Sequence, residues 1–142
     1  MQGEGICSLE TISVEDRSFL CSALNTGVPH LVVFEEGLSE EEVCHYGPLL
    51  ERHHLFPAKI NVNFARVQPD GSIAVCTWER GCGRTLACGT GSCACVVAAA
   101  MAGYTQRTAT VRLALGELLI EWAGDGHIFM TGPAEVSFRG TI

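Results

Sequence analysis

The residues best suited to chemistry lie between Glu79 and Ser92, a segment with four glycines and two cysteines. Cys88 directly precedes Gly89 and Thr90, just before an apolar helix that is predicted to begin at about Gly91. The N–H groups of a helix's first turn and the positive end of its dipole stabilise a thiolate. We therefore interpret Cys88 as a candidate proton acceptor, with a purely structural thiol as the alternative.

The groups around this thiol suit an amino acid. Backbone N–H groups at Gly89 and Thr90 can bind a carboxylate. Arg80 can add a charge-assisted clamp, and Glu79 can hold an ammonium group. The segment thus predicts an amino-acid site with a thiolate beside the substrate's Cα. Because neighbours on a strand point to opposite faces, the alternative is that either Glu79 or Arg80 is plain surface.

Phosphate and metal sites fit this segment poorly. It lacks the lysine of a P-loop, and Leu86 and Ala94 stand where a dinucleotide motif needs its last glycine. The eight cysteines form no CxxC pair and no tight Cys/His cluster, so no metal site is predicted. Cys82, Cys93 and Cys95 are predicted to be packing residues.

Further polar candidates lie upstream. His30 precedes an apolar strand, and a lone histidine there is ordinarily satisfied or exposed rather than catalytic. Asn61 and Asn63 flank Val62 on one face of another strand. Buried amides need hydrogen-bond partners, and a bound polar ligand is one candidate.

The elements that must position these residues are strands around one helix. A helix over residues 91–102 is apolar nearly all round and ends at Gly103, so it must be buried on all sides. Ser39 and Glu42 form a capping box for a surface helix, which Pro48 is expected to interrupt. Closely spaced turns favour antiparallel neighbours. The predicted fold is α+β, a curved antiparallel sheet or barrel wrapped around one buried central helix. Its strands are predicted at 7–14, 18–24, 31–34, 60–67, 73–78, 109–115, 117–122, 127–131 and 134–138.

Composition bounds the class of protein. The 142 residues suit a single domain, and 47% apolar residues exclude charge-driven disorder. A net charge of −7 without a Lys/Arg cluster argues against nucleic acid and anionic membrane as partners. With neither a signal-peptide pattern nor an apolar run of ~20 residues, we expect a cytoplasmic protein with reduced thiols.

At this point the chain resembles the diaminopimelate epimerase family. The run Glu79–Gly91 is similar to the family's second signature, and the likeness extends from about Gly27 to the C-terminus. The other matching runs are Thr26–His30, Leu49–His53, Phe56-Pro57, Asn61–Phe64, Gly116–Leu118 and Met130–Ala134.

The resemblance implies an activity. Members convert LL-diaminopimelate to the meso form, a step towards lysine and peptidoglycan, without pyridoxal phosphate, another cofactor or a metal. Two cysteines, one from each of two similar halves, move the proton. Cys88 matches the cysteine of the second half, and His30 and Glu79 match groups thought to assist the thiol proton transfers.

The resemblance also implies substrate contacts. Glu79 and Arg80 match residues at the substrate's amine and carboxylate. Gly89 and Thr90 match its carboxylate-binding amides, and Asn61 matches a substrate-binding amide.

Three departures stand out. Val28 replaces a frequent substrate-contacting Asn, and Arg84 replaces a frequent Glu. The family's first half has no counterpart, so residues 1–142 are expected to form one domain like the family's C-terminal domain, with no N-terminal domain. One thiol alone gives no net inversion. The expected partners are therefore diaminopimelate and either that missing half or a second copy in a homodimer that faces two Cys88 thiols. The isolated chain is expected to be inactive or weakly active.

Two alternatives remain open. Proline racemase and phenazine-pathway isomerases share the two-half architecture. A non-catalytic binding or oligomerisation module of the same fold is the alternative outside the enzyme class.

Overall fold

A computed structural model describes most of the chain: residues 9–15, 17–25, 28–35, 38–81, 83–85, 89–114, 116–131 and 137–141, with backbone alone at 84 and 137–141. These residues form one ten-stranded sheet and two helices. The strands are β1 Glu10–Val14, β2 Arg17–Asn25, β3 Pro29–Phe34, β4 Asn61–Val67, β5 Ile73–Glu79, β6 Gly83–Thr85, β7 Thr108–Leu113, β8 Gly116–Trp122, β9 His127–Thr131 and β10 Ser137–Thr141. The helices are α1 Glu40–Glu51 and α2 Gly89–Met101.

The sheet is mixed, which corrects the prediction of antiparallel pairing throughout. Its order is β1-β2-β3-β4-β5-β7-β8-β9-β10, with β6 beside β5. The pairs β3/β4 and β5/β7 are parallel. Each of these two connections contains a helix, which supplies the length that a parallel crossover needs. The described strand order has two free ends, so these strands form an open sheet rather than a closed barrel.

The buried central helix is confirmed. Strands β2, β3, β4, β5, β7, β8 and β9 all contact α2. Residues 91–99 of α2 are buried, among them Cys93 and Cys95, which pack in the core as predicted. Gly103, with a φ of 81°, lies just beyond the end of the helix, as its position in the sequence predicts.

Helix α1 covers the opposite face of the sheet. Ser39 caps it, and the predicted capping box with Glu42 is present in both directions. The prediction that Pro48 interrupts this helix is wrong, because α1 continues through Pro48 to Glu51. Pro48 lacks only one N–H donor, and packing of Val43 and Leu50 against the sheet holds the helix across that gap.

The two helices divide the core between the two faces of the sheet. Along β3, Leu31 and Val33 pack with α1, whereas Val32 packs with α2. This alternation follows the period of two in a strand. It places every second side chain of β3, β4 and β5 on the face that α2 covers.

Candidate functional site

The first turn of α2 meets a polar end of the inner face of the sheet. His30 on β3 pairs in register with Asn61 on β4, and Asn63 lies opposite Thr77 on β5. All four side chains are buried, and His30 and Asn63 are fully so. Because apolar residues fill the rest of this face, the polar side chains concentrate where α2 begins.

His30 connects the sheet to the helix. Its Nε2 lies 3.0 Å from Oγ1 of Thr90, in the first turn of α2. Its Nδ1 lies 2.9 Å from Nδ2 of Asn63. Burial lowers the pKa of His30 from 6.5 to about 4, so the ring is neutral at pH 7. The histidine is therefore a satisfied core residue that also contacts the predicted site.

Asn61 already has protein partners at both ends of its amide. Its Nδ2 donates to the carbonyl of Pro29 at 3.2 Å, and its Oδ1 accepts from the backbone N–H of Arg80 at 2.7 Å. Through these two bonds, Asn61 connects the start of β3 to the turn after β5. A substrate contact by Asn61 stays a prediction.

Glu79 and Arg80 end β5 and begin that turn. By alternation from Thr77, Glu79 lies on the face covered by α2, and its side chain is half-buried. The Arg80 side chain is exposed, and its Nη1 donates to the carbonyl of Ala58 at 3.4 Å. In this structure, the guanidinium is thus directed to the segment after α1 rather than to His30.

The predicted thiol, Cys88, directly precedes the first residue of α2 in the sequence. Cys88 and Cys82 lie outside the described residues, so their roles stay predictions. Gly89 is the first residue of α2, and a Cβ built there would lie 3.1 Å from Cε of Met130 on β9. The absence of a side chain therefore lets β9 lie close to the start of α2.

Two residues that hydrogen-bond to neighbours of this site, Thr77 and Glu51, were not predicted from the sequence. Thr77 donates from its hydroxyl to Oδ1 of Asn63 at 3.0 Å. Glu51, at the end of α1, is buried and accepts from Nε1 of Trp78 at 2.9 Å and from the N–H of Gly81 at 3.3 Å. The sequence signal for Thr77 was its position in the alternation of β5, in which Ile73 and Val75 also point to the face covered by α2.

The remaining cysteines and acidic groups show no second centre in the described part of the chain. Cys21, Cys93 and Cys95 are buried cysteines, whereas Cys44 is exposed. Within the described ranges, no three His, Cys, Asp or Glu side chains come together as a metal site would require. Neither described helix combines the length and apolar character needed to cross a bilayer.

Comparison with known proteins places this chain in a family. A family model described as "Diaminopimelate epimerase" matches residues 22–137. The chain belongs to the diaminopimelate epimerase family. It is 49% identical over 132 residues to the "Diaminopimelate epimerase" of Desulforudis audaxviator, covering 92% of this chain and 48% of that protein. It is 43% identical over 142 residues to the protein of that name from Desulfitobacterium hafniense, covering 100% of this chain and 50% of the relative. The chain thus spans about half the length of these diaminopimelate epimerase relatives.

Solved structures share the fold at lower sequence identity. A hydroxyproline epimerase from Agrobacterium vitis, with bound trans-4-hydroxy-L-proline, matches with a TM-score of 0.66 and 19% identity, over 96% of this chain and 46% of that one. A probable proline racemase from Agrobacterium radiobacter matches with a TM-score of 0.62 and 17% identity, over 96% and 47%. These likenesses confirm the predicted α+β fold class.

Proposed function

We propose that this chain supplies one half of a diaminopimelate epimerase site, in which Cys88 is a thiol base at the start of α2. The observation that carries the proposal is the bond from buried His30 to Thr90, two residues after Cys88. It anchors the helix start to the sheet where the polar side chains gather. Membership of the family supplies the substrate class.

The chemistry is a proton transfer at one carbon. The Cys88 thiolate takes the Cα proton, and the C–H electron pair stays on the substrate as a carbanion. A second thiol then gives a proton to the opposite face, which inverts the centre with no net oxidation or reduction. The positive end of α2 stabilises the starting thiolate. The step as proposed needs two thiols and no cofactor.

The proposed substrate contacts use the groups at the same end of the sheet. The N–H groups of Gly89 and Thr90 face the carboxylate, with Arg80 as its counter-charge and Glu79 at the ammonium group. In the present structure, Arg80 bonds Ala58 by a single 3.4 Å contact. Exchange of that contact for a substrate carboxylate costs little, because the guanidinium is already exposed.

The proposed inversion needs a second thiol on the opposite face of the substrate, in addition to Cys88 of this chain. The relatives extend over about twice the length of this chain. We propose that either the matching half or a second copy of this chain covers the site. Size-exclusion chromatography with light scattering at high concentration distinguishes the two, since a strict monomer rules out the second copy.

Deuterium exchange tests the proposed reaction. The chain is incubated with LL-diaminopimelate in D2O, and the α-deuterium content and stereochemistry are followed by NMR and chiral chromatography. We expect slow exchange with little inversion, because a single thiol returns the proton to the same face. Cys88→Ser is expected to abolish exchange, whereas Cys44→Ser, at an exposed position on α1, is expected to retain it.

Each other outcome contradicts the proposal in a specific way. Exchange no faster than in Cys88→Ser indicates the non-catalytic module. Exchange of proline in preference to diaminopimelate indicates a proline racemase-like enzyme, of the kind that the two structural neighbours are named for.

A further inference from the structure

We infer that Asn63 is a positioning residue, which holds His30 in one neutral tautomer with its Nε2–H directed to Thr90. Only the catalytic role of this arrangement depends on the proposed function. The arrangement itself follows from hydrogen bonds within β3, β4 and β5. The expectation from the resemblance was that His30 assists the thiol proton transfers. The inference gives it a different role, which is to fix the start of α2.

The orientation of the Asn63 amide is set by a group that can only accept. The amide nitrogen, Nδ2, lies 3.3 Å from the backbone carbonyl of Leu31. A carbonyl oxygen has no hydrogen to donate, so the atom that faces it must be the NH2 group. The reversed amide would place two oxygens against each other. The assignment of O and N is therefore fixed by chemistry.

A second contact agrees with this orientation. The Oδ1 of Asn63 lies 3.0 Å from Oγ1 of Thr77, which donates its hydroxyl hydrogen. Both residues are buried, with Asn63 at 0% and Thr77 at 2% exposure. Water therefore has no access to compete for the amide, and an unpaired group there would be destabilising.

The orientation of Asn63 then determines the state of His30. The same Nδ2 that bonds Leu31 also lies 2.9 Å from Nδ1 of His30. An NH2 donor requires Nδ1 to be the unprotonated, accepting nitrogen. A neutral ring then carries its proton on Nε2, which lies 3.0 Å from Oγ1 of Thr90 and donates to it.

The consequence is a hydrogen-bond chain with one direction, from β5 through β4 and β3 to the first turn of α2. Both ring nitrogens of His30 are used, so the ring has no lone pair available to accept a proton from a thiol. Its contribution is to hold Thr90, and with it the peptide groups that follow Cys88, against the sheet. Asn63 acts through His30, to which its amide donates.

Nitrogen NMR reports this tautomer directly and needs no substrate. The 142-residue chain is labelled with 15N-histidine, and long-range 1H–15N correlation spectra are recorded at pH 7. The His30 signals are identified by their absence in His30→Gln. We expect an unprotonated Nδ1 and a protonated Nε2. An Nδ1–H tautomer or an imidazolium in the wild-type chain overturns the inference, whether or not any variant folds.

The Asn63→Asp variant tests the role of the amide. A carboxylate only accepts, so Nδ1 must gain a proton and lose its unprotonated signal. Asn25→Asp makes the same change at an exposed position and is expected to leave the His30 signals unchanged. An unprotonated Nδ1 that persists in Asn63→Asp overturns the inference. Because exchange of diaminopimelate is measured separately, failure of the proposed function is distinguishable from failure of the tautomer assignment.

Discussion

Two buried polar networks flank the same end of the sheet and differ in kind. On the face covered by α2, Thr77, Asn63 and His30 are uncharged and contain both donors and acceptors. On the face covered by α1, the Glu51 carboxylate can only accept, and it lies between the N–H groups of Trp78 and Gly81, which can only donate. The carboxylate network fixes where the turn after β5 lies. The neutral network determines whether the proton of His30 lies on Nε2, directed to Thr90.

This difference predicts different sensitivities. A carboxylate between two N–H donors has one arrangement, and its loss deprives the half-buried Trp78 indole of its hydrogen-bond acceptor. A chain of amide, imidazole and hydroxyl can be satisfied in several ways, unless an obligate acceptor such as the Leu31 carbonyl selects one. Stability is therefore expected to depend most on the first network, and proton placement on the second.

The largest effect is expected at Glu51. Replacing it by Leu removes two hydrogen bonds to a buried carboxylate, so we expect a loss of roughly 3–5 kcal/mol in the free energy of unfolding. Urea denaturation measures it. Glu117→Leu, an exposed position on β8, serves as the control. Equal losses in the two variants would show that the carboxylate network is not structural.

Acid is expected to act on the neutral network. Since burial lowers the pKa of His30 from 6.5 to about 4, the unfolded chain binds a proton over this interval that the folded chain does not. The free energy of unfolding therefore falls as the pH falls from 6.5 to about 4, by on the order of 3 kcal/mol from this group.

Denaturation series across that pH range, in wild type and His30→Gln, isolate the contribution of this histidine. Glutamine presents an acceptor and a donor to the same neighbours but does not titrate. We expect the variant to lose this part of the pH dependence. Identical pH dependence in both chains would mean that His30 is not held neutral.

A smaller effect is expected where α1 approaches the first network. A Cβ at Gly47 would lie 2.7 Å from Cγ and Cδ2 of Trp78, whose indole N–H bonds Glu51. We expect Gly47→Ala to displace the ring and cost about 1–3 kcal/mol. Gly124→Ala, where the added Cβ meets no atom within 4 Å, is the control. Thermal melts of the two variants that coincide would contradict this packing.

The smallest effect is expected at the N-terminus of α1. Ser39→Ala removes the side-chain acceptor for the Glu42 N–H and should cost about 1 kcal/mol, as loss of a helix cap usually does. Ser39→Asp retains an acceptor and should restore most of the stability. No difference between Ala and Asp at this position would show that the cap does not hold the helix that carries Glu51.

Much of this arrangement follows from local sequence signals. The apolar run before Gly103 predicted the buried helix, and Ser39 with Glu42 predicted the start of α1. The parallel pairings were not predictable from short turns, because they depend on which distant strands meet across a helix. Pro48 was misjudged because tertiary packing outweighs one missing hydrogen bond.

The hydrogen-bond partners of the candidate residues were harder to predict than the candidates themselves. Spacing and residue type identified His30 and Asn61, but the partners of each depend on strand register. The role of Asn63 required the positions of Leu31 and Thr77, which lie 32 and 14 residues away along the chain. Thr77 belongs to no motif, so the sequence alone does not distinguish it from the other residues of β5 that face α2.

Alkylation of individual thiols tests whether Cys88 is an activated thiol base. The chain is treated with iodoacetamide at pH 7, and the modification of each cysteine is followed by mass spectrometry, with exposed Cys44 as the internal reference. The account predicts that Cys88 reacts faster than Cys44, and that diaminopimelate slows Cys88 alone. A Cys88 that reacts no faster than Cys44, at a rate diaminopimelate does not change, would contradict it.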